Sequence, residues 1–330
     1  MSTPGPLRYV FSAATPIRLP REAASFALSC ALVIALAQIA RAGTAADTNA
    51  NRPPPFANPE MVQILGYDDN HGNSNDAMEP FISRDGNYLF FNNSNSPAVD
   101  TNLFWATRID DATFQFQGEI AGVNSTALDA VASMDSSNNF YFITTRSYMS
   151  VGTPGYLSTI YTGPFSNGSV STPSAVPGVS APRPGLINFD EEISADGNTL
   201  YFSQGNYSSG NLASTEMMFA TRQGDSFVVS SDSRKIMKHI NNHDLNYAAD
   251  VSASQLEFFF TRATYKKGPA IYMATRTSTA KPFGEPRRIK AITGFAEAPS
   301  ISPDGRSLYY HWRNPSGVFV INRVTRVLSP

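Results

Sequence analysis

The chain has 330 residues, 42% of them hydrophobic and 16% charged, with a formal net charge of -2. That much apolar material builds a folded core and excludes an intrinsically disordered chain, and no basic run or stripe marks a nucleic-acid binder. The 22 Gly and 23 Pro, with many Asn and Ser, point to a loop-rich, all-β protein.

At the N-terminus, Arg8, Arg18 and Arg21 precede an Ala-rich apolar stretch from Ala23 to Ala40, and Ala40-Arg41-Ala42 offers small residues for cleavage before Gly43. Residues 1–43 therefore read as a secretory signal peptide, with an uncleaved N-terminal anchor as the alternative. An exported chain, periplasmic or extracellular, is expected, with no membrane span after cleavage. Cys30 is the only cysteine and lies inside this stretch, so no disulfide and no thiol chemistry are expected after it. Residues 44–58, with Pro53-Pro54-Pro55, read as a linker, and 59–330 as the folded domain.

An isolated strand, EMVQILGY from Glu60 to Tyr67, comes next. A repeat then begins. FISRDGNYLFF (Phe81 to Phe91), EISADGNTLYF (Glu192 to Phe202) and SISPDGRSLYY (Ser300 to Tyr310) align with one another. So do two degenerate copies, ASMDSSNNFYF (Ala132 to Phe142) and DVSASQLEFFF (Asp250 to Phe260). Their spacings of 51, 60, 58 and 50 residues are those of a propeller. Each period continues into a third strand, such as LFWATR (Leu103 to Arg108) or IYMATR (Ile271 to Arg276), and a fourth, such as FQGEIAGV (Phe116 to Val123) or EPRRIKAI (Glu285 to Ile292). The expected fold is a five-bladed β-propeller of four-stranded antiparallel blades. The last copy lacks a fourth strand, which Glu60 to Tyr67 is expected to supply, closing the ring and removing its open edges.

The pattern of Ile301 to Tyr310 resembles the WD-like repeat of TolB-type propellers, I-S-P-D-G-x-x-L-Y-F. The copies at 133 and 251 depart from it by lacking Asp-Gly. The resemblance implies a propeller from about residue 60 onward and says little about function, because such repeats occur in scaffolds, binding proteins and enzyme accessory domains. Asp85, Asp196 and Asp304 fill one slot in three blades, so each reads as a hairpin residue whose Gly partner takes the positive φ. This hairpin joins the two inner strands and marks one rim.

Function is then expected on the opposite rim, where loops lead into the innermost strands. They carry Asp76, Glu79, Asp129, Asp190, Glu191 and Glu297, a candidate ring of catalytic carboxylates. His71, His243 and His311 fall on the same face and are candidate ligands of a divalent metal, with His239 and Gln204 nearby. The loops that leave the second strands add Arg146, Tyr207, Arg262, Tyr265, Trp312 and Arg313, which suit a flat polar or anionic ligand and equally suit a protein interface. Trp105, on a third strand, is expected to pack between blades. GDSF at Gly224 reads as a chance match. Two functions are consistent with these residues: a monomeric module binding a saccharide or protein ligand, or a carbohydrate-active enzyme. The enzyme is either a hydrolase using channel acids or a metal-assisted lyase. No nucleic-acid partner is expected.

Overall fold

The structure is a computed structural model and describes residues 53–67, 76–96, 101–207, 211–241, 244–264 and 267–327. The expected signal peptide, the linker up to residue 52, and His71, His243 and Tyr265 lie outside the described residues.

The described chain is all-β, with 2% helix, and forms five small antiparallel sheets in a ring. From the centre outward, blade one contains Met78–Ile82, Tyr88–Asn92, Leu103–Asp110 and Thr113–Glu119. Blade three contains Leu186–Ile193, Thr199–Asn206, Ser214–Gln223 and Ser226–Val229. Blade four contains Leu245–Val251, Glu257–Thr264, Gly268–Thr275 and a fourth strand of only Arg287–Arg288, much shorter than the stretch expected from the sequence. In blade two, Asp129–Met134, Asn139–Thr144 and Ile160–Ser166 are followed by two short strands, Ser169–Val170 and Ser174–Ala175, which both pair with Ile160–Ser166.

Blade five contains Ala296–Ile301, Ser307–Arg313 and Phe319–Arg326, and its outermost strand is Phe56–Met61 from the start of the described chain. That strand runs antiparallel to Phe319–Arg326, pairing Phe56 with Arg326 and Met61 with Asn322. It begins inside the stretch read as linker. The single strand expected over Glu60 to Tyr67 is in fact split at Val62. The Val62 N–H donates to Ile321 O in blade five at 2.8 Å, and the Gln63 N–H donates to Ala112 O in blade one at 2.8 Å. Gln63–Leu65 then runs parallel to Thr113–Glu119. These residues straddle the seam between the first and last blades, and Val62 is buried among side chains of both.

Inner strands are buried on both faces because each sheet is packed between two neighbours, whereas outer strands such as Thr113–Glu119 alternate. Aromatic rings fill the gaps between blades. Phe90 meets Phe140 and Phe165 edge-on, each at 5.1 Å between centroids, and Trp105 joins them at 6.1 Å from Phe165. Trp105 thus packs between blades one and two, as its strand position suggests.

The Asp-Gly hairpins behave as turns. Asp304 Oδ1 accepts from Ser302 Oγ at 2.6 Å and from the Arg306 N–H at 3.0 Å, while Gly305 sits at φ 71. Asp85 and Asp196 bond in the same way. In the degenerate copies, Asn138 and Gln255 adopt the left-handed conformation at the glycine slot, with φ 62 and 57.

A second left-handed residue recurs seven positions earlier and has no sequence signature: Glu79, Val131, Asp190, Ala248 and Ala298, with φ between 49 and 52. Each marks a bulge in an inner strand, where the register with the second strand shifts. This conformation costs a non-glycine residue about 1–2 kcal/mol, so surrounding bonds must hold it. The Val131 N–H donates to Asn92 Oδ1 at 3.1 Å, and the Ala298 N–H to Thr261 Oγ1 at 2.9 Å. Two residues beyond each bulge, side chains reach the next blade. Ser133 Oγ accepts from the Ile193 N–H at 2.9 Å and Ser300 Oγ from the Ile82 N–H at 3.0 Å. Glu192 and Asp250 fill this slot in blades three and four, toward the amides of Val251 and Ile301.

Ser300→Ala leaves the buried Ile82 amide without a partner. It is expected to lower stability by about 1–3 kcal/mol, read as a shift of the urea midpoint. An unshifted midpoint would show that the stitch between blades five and one contributes nothing.

Candidate functional site

The bulges set the site, because they turn the following side chains toward the channel. The inner strands enclose a central cavity of about 20 Å³, room for one water molecule. Glu79, Asp190, Glu191, Glu192 and Asp250 are among its lining residues. Glu297 lies beside it and joins the same electrostatic cluster.

His311, on the second strand of blade five, is fully buried. Its Nδ1 accepts from the Glu79 N–H at 3.1 Å, and its Nε2 lies 3.1 Å from Glu297 Oε2. Accepting at Nδ1 requires a lone pair there, so the ring carries its proton on Nε2 and donates it to Glu297. Burial disfavours a charged ring, but the carboxylates of Glu79 and Glu297 outweigh it and raise the His311 pKa. Tyr247 OH donates to the other oxygen, Glu297 Oε1. Glu297 is therefore bonded through both oxygens and His311 through both nitrogens.

Glu79 and Asp190 differ from Glu297. Glu79 Oε1 accepts from Asn95 Nδ2 at 2.5 Å, and Asp190 Oδ2 from the Ala248 N–H at 3.0 Å. Among the described residues, the second oxygen of each has no hydrogen bond. They are 6% and 8% exposed, so they lie at the edge of solvent. Burial raises the pKa of both, and repulsion from Glu297 adds to each shift. Asp190 is raised well above the usual carboxylate range, with Glu79 its largest electrostatic neighbour.

Toward the hairpin rim the channel is closed by a cation. Arg84, from the blade-one hairpin, pairs with Glu192, donates to Ile193 O, and donates from Nε to Met134 O at 3.0 Å. Burial opposes its charge, yet Glu192 and Asp250 raise its pKa. Glu191 has no such compensation: among the described residues neither of its carboxylate oxygens has a hydrogen-bond partner, and burial pushes its pKa well up.

Other candidates serve the scaffold. Asp129 is fully buried away from the cavity, accepts from the Ser125 N–H and Oγ, and pairs with Arg146 at 2.7 Å. Asp76 Oδ1 accepts from the Phe319 N–H at 2.7 Å. Arg262 bonds Asn246 and the Ile240 carbonyl and stacks on Tyr272. Tyr207 is buried, which raises its pKa. Trp312 Nε1 donates to Thr293 O at 3.1 Å. Among the described ligand candidates only Arg313, which donates to Gly317 O, remains mostly in solvent. These side chains were expected to present themselves to a ligand; instead, most are engaged in loop packing, because the same arginines and aromatics satisfy buried carbonyls. His239 pairs with Glu285, and Gln204 donates to Asn188 Oδ1 at 3.0 Å. Among the described residues, no group of three His, Cys, Asp or Glu is arranged to hold a metal ion.

Sequence reading missed Tyr247, Arg84, Glu192 and Asp250. Arg84 had a usable signal, standing where the other aligned copies carry Asp135, Ala195, Ala253 and Pro303, none of them a cation. Tyr247 had none.

No family model matches the chain, and no curated protein matches it. Solved structures do. BT0996 in its complex with RGII superposes with a TM-score of 0.57 at 9% identity, covering 84% of this chain and 92% of that one. A family 117 glycoside hydrolase from the marine bacterium Zobellia galactanivorans gives 0.55 at 11% identity, covering 82% and 90%. TolB from Acinetobacter baumannii gives 0.41 at 15% identity, covering 78% and 55%. The chain is a five-bladed β-propeller. At these identities the likeness is one of fold.

The Glu191 pKa is raised in the folded protein, so on titration upward the unfolded chain loses its proton first and stability falls above the usual carboxylate range of about 4. Glu191→Gln removes this loss. The variant is expected to gain stability over the parent progressively from about pH 4 to about pH 7 in thermal melts. A gain independent of pH would show that Glu191 is not the titrating group.

Proposed function

We propose that this propeller is an exported module that binds a saccharide at the channel mouth between blades one and three. The observation that carries this reading is the pair Glu79 and Asp190. Each is fixed by one hydrogen bond on a rigid inner strand, and each keeps one oxygen uncommitted. With Asp190 holding a proton more readily than an ordinary carboxyl, the pair offers both a donor and an acceptor, which adjacent sugar hydroxyls match. The cavity below holds only a water-sized volume, so a ligand sits on the mouth and does not thread the channel. The Zobellia neighbour acts on glycosides by its description, which supports a saccharide over a protein ligand. Among the described residues no helix is long and apolar enough to cross a membrane.

A second reading is favoured by the same pair. Two neighbouring carboxyls whose pKa values are pushed up to different extents are the arrangement that glycoside hydrolysis uses, with Asp190 as proton donor and Glu79 as base or nucleophile.

Calorimetric titration with neutral and acidic oligosaccharides separates these readings. Glu79→Gln and Asp190→Asn are each expected to weaken binding about tenfold, the usual effect of losing a buried polar contact. Binding that survives both substitutions would place the ligand elsewhere. If the protein also releases reducing ends, Asp190→Asn is expected to slow that release by about 10²–10⁴-fold; a complete absence of released ends leaves the binding module.

A further inference from the structure

The outer part of blade four, with the turn that leads into it from blade three, carries a charge pattern unlike the rest of the chain. Arg234, Lys235 and Lys238 fall within five residues, and Lys281, Arg287, Arg288 and Lys290 within ten, in a chain of net charge -2. The two stretches lie more than forty residues apart, so neither reads as a basic run.

The fold joins them. Ser233–Ile236 forms one helical turn, and the Phe283 N–H donates to Ile236 O at 3.1 Å. Ile236, Met237, Ile240 and Phe283 share one buried cluster, and His239 pairs with Glu285 across the same contact. Arg287–Arg288 then lies at the outer edge of blade four, paired with Tyr272 and Met273. The apolar residues of both stretches are buried, and the basic ones between them are exposed.

Arg234 and Lys235 have acidic partners in Glu216 and Asp232. Among the described residues, Lys238, Lys281, Arg287, Arg288 and Lys290 have none. Most described arginines elsewhere are engaged, Arg183 excepted: Arg84 and Arg326 pair with acids, and Arg222 and Arg276 bond tyrosine hydroxyls. Unpaired like charges within a Debye length of about 8 Å repel one another and weaken the folded state. Nothing in the packing of blade four requires them.

We propose that this outer face of blade four binds an acidic polysaccharide bearing carboxylate or sulfate groups along an extended chain. Guanidinium forks on an exposed edge strand suit such groups. Arg287 and Arg288 sit on this edge strand and Lys290 follows in the adjoining turn, so three cations within four residues can meet several anionic groups of one chain. A bilayer fits less well, because Ile236, Met237, Ile240, Phe283, Ile289 and Ile292 are all buried and leave no apolar side chain to insert. Among the described residues no aromatic side chain of this face is exposed, so a single-stranded nucleic acid finds no stacking platform here. The surface is separate from the channel mouth and stands whether or not that mouth takes a sugar.

The full chain is tested for retention on immobilised polygalacturonate and dextran sulfate, with neutral dextran as reference. Retention on the charged polymers that weakens with salt is expected. Combining Arg287→Ser, Arg288→Ser and Lys290→Ser is expected to lower the affinity at least tenfold, with a melting temperature no lower than the parent's and unchanged oligosaccharide binding at the channel. Absence of retention at low salt, or equal retention of the triple variant, overturns the proposal. So does tighter binding to anionic lipid vesicles or to single-stranded DNA than to polygalacturonate at the same salt.

Discussion

The architecture rests on one backbone constraint, a left-handed residue in the middle of every inner strand. It breaks the pairing with the second strand and turns an amide toward the neighbouring blade, where a side chain must receive it. Asn92, Thr261 and His311 do this from the preceding blade's second strand, and Asp190 does it for Ala248. Two residues farther on, Ser133 and Ser300 receive the next amide in turn. The blades are thus bonded around the ring by side chain to backbone contacts, in addition to the aromatic packing between their faces.

The same constraint explains why residues with catalytic appearance divide into two groups. His311 and Glu297 are consumed by capping and by each other, with Tyr247 completing the set. Glu79 and Asp190 occupy the bulge itself, so their side chains lean over the channel mouth with one oxygen held and one left over. Along the channel the charge is graded. At the hairpin end Glu192 is neutralised by Arg84. At the other end burial and the neighbouring acids raise the pKa values of Glu79 and Asp190, and His311 offsets part of the rise at Glu79.

An acid-rich channel and a basic outer edge on blade four give the propeller two surfaces of opposite character. The first offers few, rigid carboxyls whose burial favours the protonated form, suited to orienting hydroxyls. The second offers several exposed cations in high dielectric, suited to holding a long anion at many weak points.

The repeat of Asp-Gly hairpins, legible in the residues alone, determined the all-β class, the blade count and the role of Asp85, Asp196 and Asp304. These features depend on local turn chemistry and on spacing, which a linear chain displays. The bulge was not legible, because Glu, Val, Asp and Ala occupy it and none announces a positive φ. The split of Glu60 to Tyr67 between two blades was equally hidden, since both halves are apolar strand. Of the acids proposed for the site, Glu79, Asp190 and Glu191 do line the channel and Glu297 stands beside it, whereas Asp129 turns to Arg146 and Asp76 to the Phe319 amide. Only the tertiary structure decided which acids remain available, because their hydrogen-bond partners come from other blades: Glu79 meets His311 across 232 residues of sequence.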